Sequence, residues 1–435
     1  MPDLRPQGLL PPLTRFMKVQ TAETGDDTAG RVPDTPGGGH RNMNRSKPLS
    51  GLVVVDFTAF VAGPYATRLL ADMGAEVIKI EPLEGETLRT SPPQVNGQSG
   101  FFTQLNLGKR SLAIDLKSPR GLELVADLAT RADIVVENFR PGVMKRLGLG
   151  YAALSARNPG LVYCSISGYG QDGPDAHRPA FAPIINAASG YTMGEFRYQR
   201  GKDKPERSRT LAADVLGATH AVIGIQAALR RREATGHGDH VDVELLAGLM
   251  NMMPFELQEA QFPDPDLRVP VFEPLTCAEG YIVAAPVTNK NFQALAQACE
   301  RPDWLQDPRF RDSASRMSNW SELIGELEDW TRTLPATEAA RRIEDAGCPC
   351  RRYLTPAEAL ENPHMIERGS VIEVEDAMGR HKVVNTPFRF AGADTGIAGN
   401  APLLGADSRG ILHGMLGLSE AEVEGLIAEG TAGEP

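Results

Sequence analysis

Along most of this chain, hydrophobic and polar positions alternate between two regimes. Short, β-branched, almost uninterrupted apolar runs occur at 52–57 (LVVVDF), 76–80 (EVIKI), 111–115 (SLAID), 133–138 (DIVVEN) and 161–167 (LVYCSIS). Between several of them, apolar positions recur at helical spacing, as in YATRLLADMG and SPRGLELVADLATRA. In the second of these, Leu122, Leu124, Val125 and Leu128 form one face. Strands apolar throughout need cover on both faces, and strands that alternate with helices pair in parallel. The first half therefore reads as a doubly wound α/β sheet.

A helix is predicted from Asp214 to about Arg232. Val215, Ala218, Val222, Ile225 and Leu229 fall at helical spacing, and Arg230 to Arg232 oppose the dipole at its C-terminal end. TGHGDH then punctuates, VDVEL reads as a strand, and a Met-rich helix runs to about Phe262. A proline-rich stretch, Phe262 to Pro274, reads as a linker. Beyond it, GYIVAAPV, NKNFQALAQA and helices at 320–333 and 336–346 suggest a smaller α+β unit. Near the C-terminus, Ser419 followed by Glu422 fits a capping box. Residues 1–48, rich in Gly, Pro, Asp and Thr, lack periodicity and read as a flexible extension, or as an artefact of an early start codon with Met43 a later candidate.

Composition narrows the function classes. The 435 residues exceed one ordinary core, and 41% apolar with 23% charged residues is a globular profile. A net charge of −11 argues against binding nucleic acid through bulk charge, so any anionic ligand must meet locally placed cations. No apolar run approaches the roughly 20 residues of a membrane span, and no secretory signal is visible. Five scattered cysteines argue against a disulfide framework and make the cytoplasm the default compartment. Cys348-Pro-Cys350 lacks companions for a metal site and reads as a plain loop.

Four places could carry chemistry. The turn after the first strand, 56–74, has Gly63 and Pro64 breaking the strand and a helix starting near Tyr65. Free N–H groups at such a start favour an anion, although the GxGxxG spacing of a dinucleotide fingerprint is missing. That absence counts against a nicotinamide or flavin enzyme. In VENFRPGVMKRLG, 136–148, Asn138 and Phe139 lie just past a strand. Arg140, Lys145 and Arg146 there are either phosphate ligands or a solvated basic helix start. Asp214 is a first-turn carboxylate, held ionised by the dipole, that serves as a cap or as a nucleophile. His237, Asp239, His240 and Asp242 sit in a turn leading into a strand, where alternate side chains diverge, so a metal site is disfavoured. His177 reads as a loop histidine.

Taken in order, LSGLVVVDF, AGPYATRLLADMGAEVIKIE, NLGKRSLAIDLKSPRG, ADIVVENFRPGVMKRLGLGY, NPGLVYCSISGYGQDGP, SGYTMG and AADVLGATHAVIGIQAALRRREATGHGDHVDVEL resemble the CaiB/BaiF, or family III, CoA-transferases. The resemblance runs from Pro48 to the final helix. It implies an α/β fold with a doubly wound parallel-sheet large domain, an inserted smaller α+β domain, and an interlocked homodimer. The implied division is a flexible extension at 1–48, a large CoA-binding domain at 49–262, a small domain at 263–370, and a return segment at 371–435 that completes the large domain. The implied coenzyme A contacts are Val61, Ala62, Ile114, Lys117, Asn138, Phe139, Arg140 and Arg146. CoA is a substrate and no cofactor is tightly bound. No nucleic-acid or membrane partner is implied.

By the same resemblance, Asp214 is the covalent nucleophile, and CoA passes between an acyl-CoA donor and a carboxylic acid acceptor through an aspartyl-CoA thioester. The alternative is an α-methylacyl-CoA racemase-like isomerase, which needs two acid/base groups. Such relatives carry a histidine ahead of the aspartate, whereas here Phe181 and Ala182 occupy that block. Ala182 also replaces an acid common in the family. The segment 286–292, PVTNKNF, lacks the Gly-rich flap of formyl-CoA transferase, which argues against oxalate/formate specificity.

Overall fold

The first five predicted strands and VDVEL all form, and they assemble out of sequence order. They are β1 Val53–Asp56, β2 Glu76–Glu81, β3 Arg110–Ile114, β4 Ile134–Glu137, β5 Val162–Ser167 and β6 His240–Glu244. All pair in parallel, in the order β3-β2-β1-β4-β5-β6. At the β3 edge, Ala432–Gly433 adds a short antiparallel strand. This computed structural model describes residues 46–199, 201–264 and 271–435, and residues from Arg45 to Pro435 form one compact unit. The flexible-extension reading of 1–48 falls, but for its last three residues, outside the described residues, as does the middle of the predicted linker.

Strict alternation splits each strand between two apolar layers. Val54, Val77, Ile134, Val136, Val162, Cys164, Ile166 and Val243 pack under helices α1 Ala62–Asp72 and α3 Ala212–Thr235. Val55, Ile78, Leu112, Ile114, Val135 and Tyr163 pack against α2 Pro119–Arg131 and the helices Ser408–Gly414 and Glu420–Ala428. Residues from the far end of the chain thus close one face of a sheet begun at residue 53. A separate core, with Leu275, Ile282, Trp304, Leu323 and Ile343, lies within 275–350 around a three-stranded sheet of β7 Leu275–Thr276, β8 Tyr281–Ala284 and β9 Cys350–Arg352.

Several local expectations need correction. Helix α1 starts at Ala62 rather than near Tyr65. Pro64 is tolerated in its first turn because that N–H would have no intrahelical partner. A Cβ on Gly63 would lie 2.3 Å from Thr58 Cβ, so only glycine fits there. The Met-rich helix is two, Leu245–Met250 and Pro254–Gln261, divided where Pro254 opens a new first turn. Cys350 opens a strand rather than lying in a plain loop, and all five cysteines are buried free thiols. Helix α3 is long and apolar enough to cross a membrane, contrary to the sequence expectation. In this fold it packs against α1 and β5.

Candidate active site

The strand order reverses between β1 and β4, and in open α/β sheets the crevice beyond the carboxyl ends at such a reversal is where ligands collect. Two turns frame it here. The side-chain oxygen of Asn138 accepts the Ala59 N–H at 2.9 Å, and its amide nitrogen donates to the Ala59 carbonyl at 2.8 Å. Next to Ala59, Phe60 adopts a left-handed conformation with φ 63°. For a bulky residue that costs on the order of 1 kcal/mol or more, so its neighbours must hold it. They do so through the Phe60 N–H, which donates to Glu86 Oε2 at 2.9 Å, and through the ring, which stands edge-on to Phe181 at 5.4 Å.

Buried charges tie this turn down from beneath. Asp56, wholly buried, accepts from the Thr58 N–H at 2.8 Å, Thr67 Oγ1 at 2.7 Å and Lys109 Nζ at 3.0 Å. Lys79, also wholly buried, donates to the Thr58 carbonyl at 2.8 Å and pairs with Glu86 at 2.9 Å. Burial alone pushes the Asp56 carboxyl up, but Lys109 and Lys79 outweigh it and leave it below the usual carboxylate range. Burial drives the Lys109 amine down to about 8 against the pull of Asp56. The chain Asp56–Thr58–Lys79–Glu86–Phe60 converts a buried ion network into a fixed loop shape.

Facing this turn is a cavity of about 240 Å³, lined by Phe60, Ala62, Asn138, Phe139, Arg140, Ile166, Ser167, Phe181, Leu245 and Asp214, among others. Asp214 is the third residue of α3 and is partly buried. Burial pushes its carboxyl up to about 6, opposed by the Ala62 N–H and its own N–H. Among the described residues no cation pairs with it. The sequence reading of a dipole that favours the ionised form left out burial, which on balance raises this carboxyl, although the carboxylate still predominates near pH 7. The helix has Leu211 at its N-cap with no side-chain cap. An uncompensated, half-desolvated carboxylate is basic enough to attack a carbonyl and open enough to reach one.

The family model described as CoA-transferase family III matches residues 49–408. The chain belongs to CoA-transferase family III. It is 33% identical over 398 residues to succinyl-CoA–D-citramalate CoA-transferase of Chloroflexus aurantiacus, covering 88% of this chain and 98% of that one. It is 34% identical over 357 residues to acetyl-CoA:oxalate CoA-transferase of Acetobacter aceti, covering 80% and 90%. A crystal structure of a CaiB/BaiF family protein from Brucella suis superposes with a TM-score of 0.74 at 30% identity, covering 87% of this chain and all of the other.

For a family III CoA-transferase, the predicted CoA contacts fall into four groups. Ala62, Asn138, Phe139 and Arg140 line one cavity with Asp214. Val61 precedes them as the N-cap of α1, buried against Leu88, Phe102 and Leu105. Lys117 and Arg146 are exposed outside the cavity lining, Lys117 after β3 and Arg146 at the end of the short helix Val143–Arg146. Ile114 has no exposed surface and pairs with Ala432, so its side chain is closed to a ligand and only its main chain is left to contribute. The histidine cluster disperses: Asp239 pairs with Arg231, His237 bonds Thr235, and His240 turns into a second cavity. Among the described residues no group of three or more His, Cys, Asp or Glu could hold a metal. His177 is exposed in a turn. The family III cavity also contains Phe60, Ser167 and Leu245, which the sequence did not single out. Only the unusual Phe60 conformation distinguishes one of them, and no local residue pattern announces it.

Proposed function

We propose that this CoA-transferase works through a covalent aspartyl-CoA thioester at Asp214. The Asp214 carboxylate attacks the acyl-CoA carbonyl carbon, the C–S bond breaks, and a mixed anhydride and the CoA thiolate result. The thiolate then attacks the aspartyl carbonyl, its C–O bond to the acyl group breaks, and the first acid leaves as its carboxylate. An acceptor carboxylate repeats these steps in reverse and departs as the new thioester. The observation that carries this reading is the uncompensated Asp214 carboxylate in the cavity framed by the switch-point turns. Apolar walls at Phe60, Phe139, Ile166, Phe181 and Leu245 favour transfer over hydrolysis by keeping water from the anhydride.

The isomerase alternative needs a proton donor and acceptor on opposite sides of one carbon. Of the residues lining this cavity only Asp214 and Arg140 titrate, and Arg140 does not give up its proton. Phe181 and the buried Ala182 supply neither partner.

In this reading CoA lies along Val61, Ala62, Ile114 and Lys117 toward Asn138, Phe139, Arg140 and Arg146, with the exposed cations meeting phosphates. No tightly bound cofactor is invoked. The small apolar cavity suits a short acid. The first residues of 286–292 lead into helix Asn289–Ala298, capped by Thr288, rather than into a Gly-rich flap, which argues against oxalate as acceptor. The apolar Ile184, Met193, Val215, Ile223 and Phe255 stand exposed, supporting burial against a second copy in an interlocked homodimer. Segment 263–370, with its own core within 275–350, is assigned as the inserted domain, 49–262 and 371–435 as the large one, and the cytoplasm as the compartment.

Incubation with succinyl-CoA or acetyl-CoA, followed by hydroxylamine or borohydride, tests the mechanism. A modified Asp214 in the peptide map is expected. Exchange of the α-proton into deuterated water without any Asp214 adduct would instead mean an isomerase.

A further inference from the structure

Glu137 ends β4, one residue before Asn138, and its side chain turns to the opposite face of the sheet from the Asp214 cavity. It is 4% exposed, and Oε2 accepts the Phe139 N–H at 2.8 Å. Ser165 stands directly opposite it in register on β5, and Ser165 Oγ lies 3.0 Å from His240 Nε2 on β6. The His240 ring stacks on Tyr151 at 5.2 Å and meets the edge of Tyr163 at 5.4 Å, so its position is fixed. These side chains line a second cavity of about 550 Å³, whose lining shares Arg140 with the Asp214 cavity. Among the described residues no salt bridge neutralises Glu137.

We propose that Glu137 is a positioning residue for acyl transfer: its grip on the Phe139 N–H sets the Asn138–Phe139 main chain, and the Glu137–Ser165–His240 relay couples that grip to pH. With Glu137 ionised, Ser165 donates to Glu137 and His240 donates to Ser165. With Glu137 protonated, the acid donates to Ser165 and Ser165 donates to His240 Nε2, the ring now carrying its proton on Nδ1 after tautomer exchange, so both hydrogen bonds reverse and one proton in all is taken up. The Phe139 N–H then faces a neutral acid, a weaker acceptor than a carboxylate. Asn138 moves with Phe139, and with it the Ala59 turn that frames the Asp214 cavity. Burial pushes the Glu137 acid up to about 7, Asp242 adds to this, and Ser165 and Phe139 oppose it. The other titratable groups around it are Tyr163, Cys164 and Asp239 from the sheet strands and the turn before β6, Tyr151 from the helix beyond, and Arg140 and Lys145 on the cavity wall.

The proposal rests on the reading of Asp214 as nucleophile, and the test separates the two. The pH profile of kcat for the full-length wild type is expected to show a limb near 7 above the Asp214 limb. Glu137→Gln should lose the upper limb, lower kcat about tenfold at pH 8, and leave KM for acyl-CoA within about twofold. Ser165→Ala, which removes one hydrogen bond to the ionised form, should move the upper limb to higher pH. If either folded variant keeps the wild-type profile, the positioning role is overturned. If the wild type itself forms no Asp214 adduct, the mechanism fails instead, whatever Glu137 does.

Discussion

Asn138 holds the main chain of Ala59 at both ends, accepting its N–H at 2.9 Å and donating to its carbonyl at 2.8 Å. An amide can do both at once, whereas a carboxylate can only accept. Asn138→Asp should therefore keep the first bond, set a negative charge against the Ala59 carbonyl, and release the turn. Turnover is expected to fall by about ten- to a hundredfold, with a higher KM for acyl-CoA. Steady-state kinetics on a variant whose melting temperature is close to wild type decides it.

The proposed attack by Asp214 predicts an acid limb of activity. Its folded pKa, about 6, lies above its unfolded value, so the attacking form is lost as pH falls through 6 and kcat/KM should drop about tenfold per unit below that. The sign for stability is opposite. Above about pH 6 the folded state holds a charge it disfavours, and below about 4 that cost vanishes. Asp214→Asn should abolish transfer, still bind CoA, and melt about 2 °C higher at pH 8, with the gain shrinking toward pH 4.5. Scanning calorimetry at the two pH values, alongside CoA titration, checks both halves.

Removing one partner of the network beneath the turn should be costly. Lys79→Met strands Glu86 and the Thr58 carbonyl without their donor. A loss of about 3–5 kcal/mol is expected, with partial recovery in Lys79→Met/Glu86→Gln, which removes the orphaned charge. Denaturant unfolding of the single and double variants measures it.

Gly63→Ala places a methyl group 2.3 Å from Thr58 Cβ, where no side-chain rotation relieves it. The variant should lose about 2–3 kcal/mol and bind CoA more weakly, because Thr58 and α1 shift together. An unchanged unfolding midpoint would show that the turn has slack.

The strands were legible because runs such as LVVVDF and LVYCSIS are apolar on both faces, and that demands burial in the middle of a sheet. The segments 56–74 and 136–148 stood out for local reasons of their own, a Gly-Pro break before a helix start in one and polar and basic residues just past a strand in the other. Their meeting was not legible, since the reversal between β1 and β4 is a pairing of residues about 80 apart. Nor were the buried charges: EVIKI reads as a strand covered on both faces, but nothing local shows that Lys79 is buried with Asp56 and Glu86 around it. By spacing alone Asp214 read first as a helix cap, and only the resemblance favoured the nucleophile. The same resemblance named Ile114, whose side chain the fold closes off.

The short strand at 432–433 has a temporal meaning. It caps β3, and the buried Thr431 and Ala432 join that edge only after every other strand of the sheet has been synthesised. A ribosome-bound chain therefore carries an open β-edge until residues 432–433 have emerged, and strand addition between neighbouring chains is easiest while that edge is open. A bulky fusion joined directly after Pro435 would crowd the same edge, so an affinity handle at this end calls for a spacer.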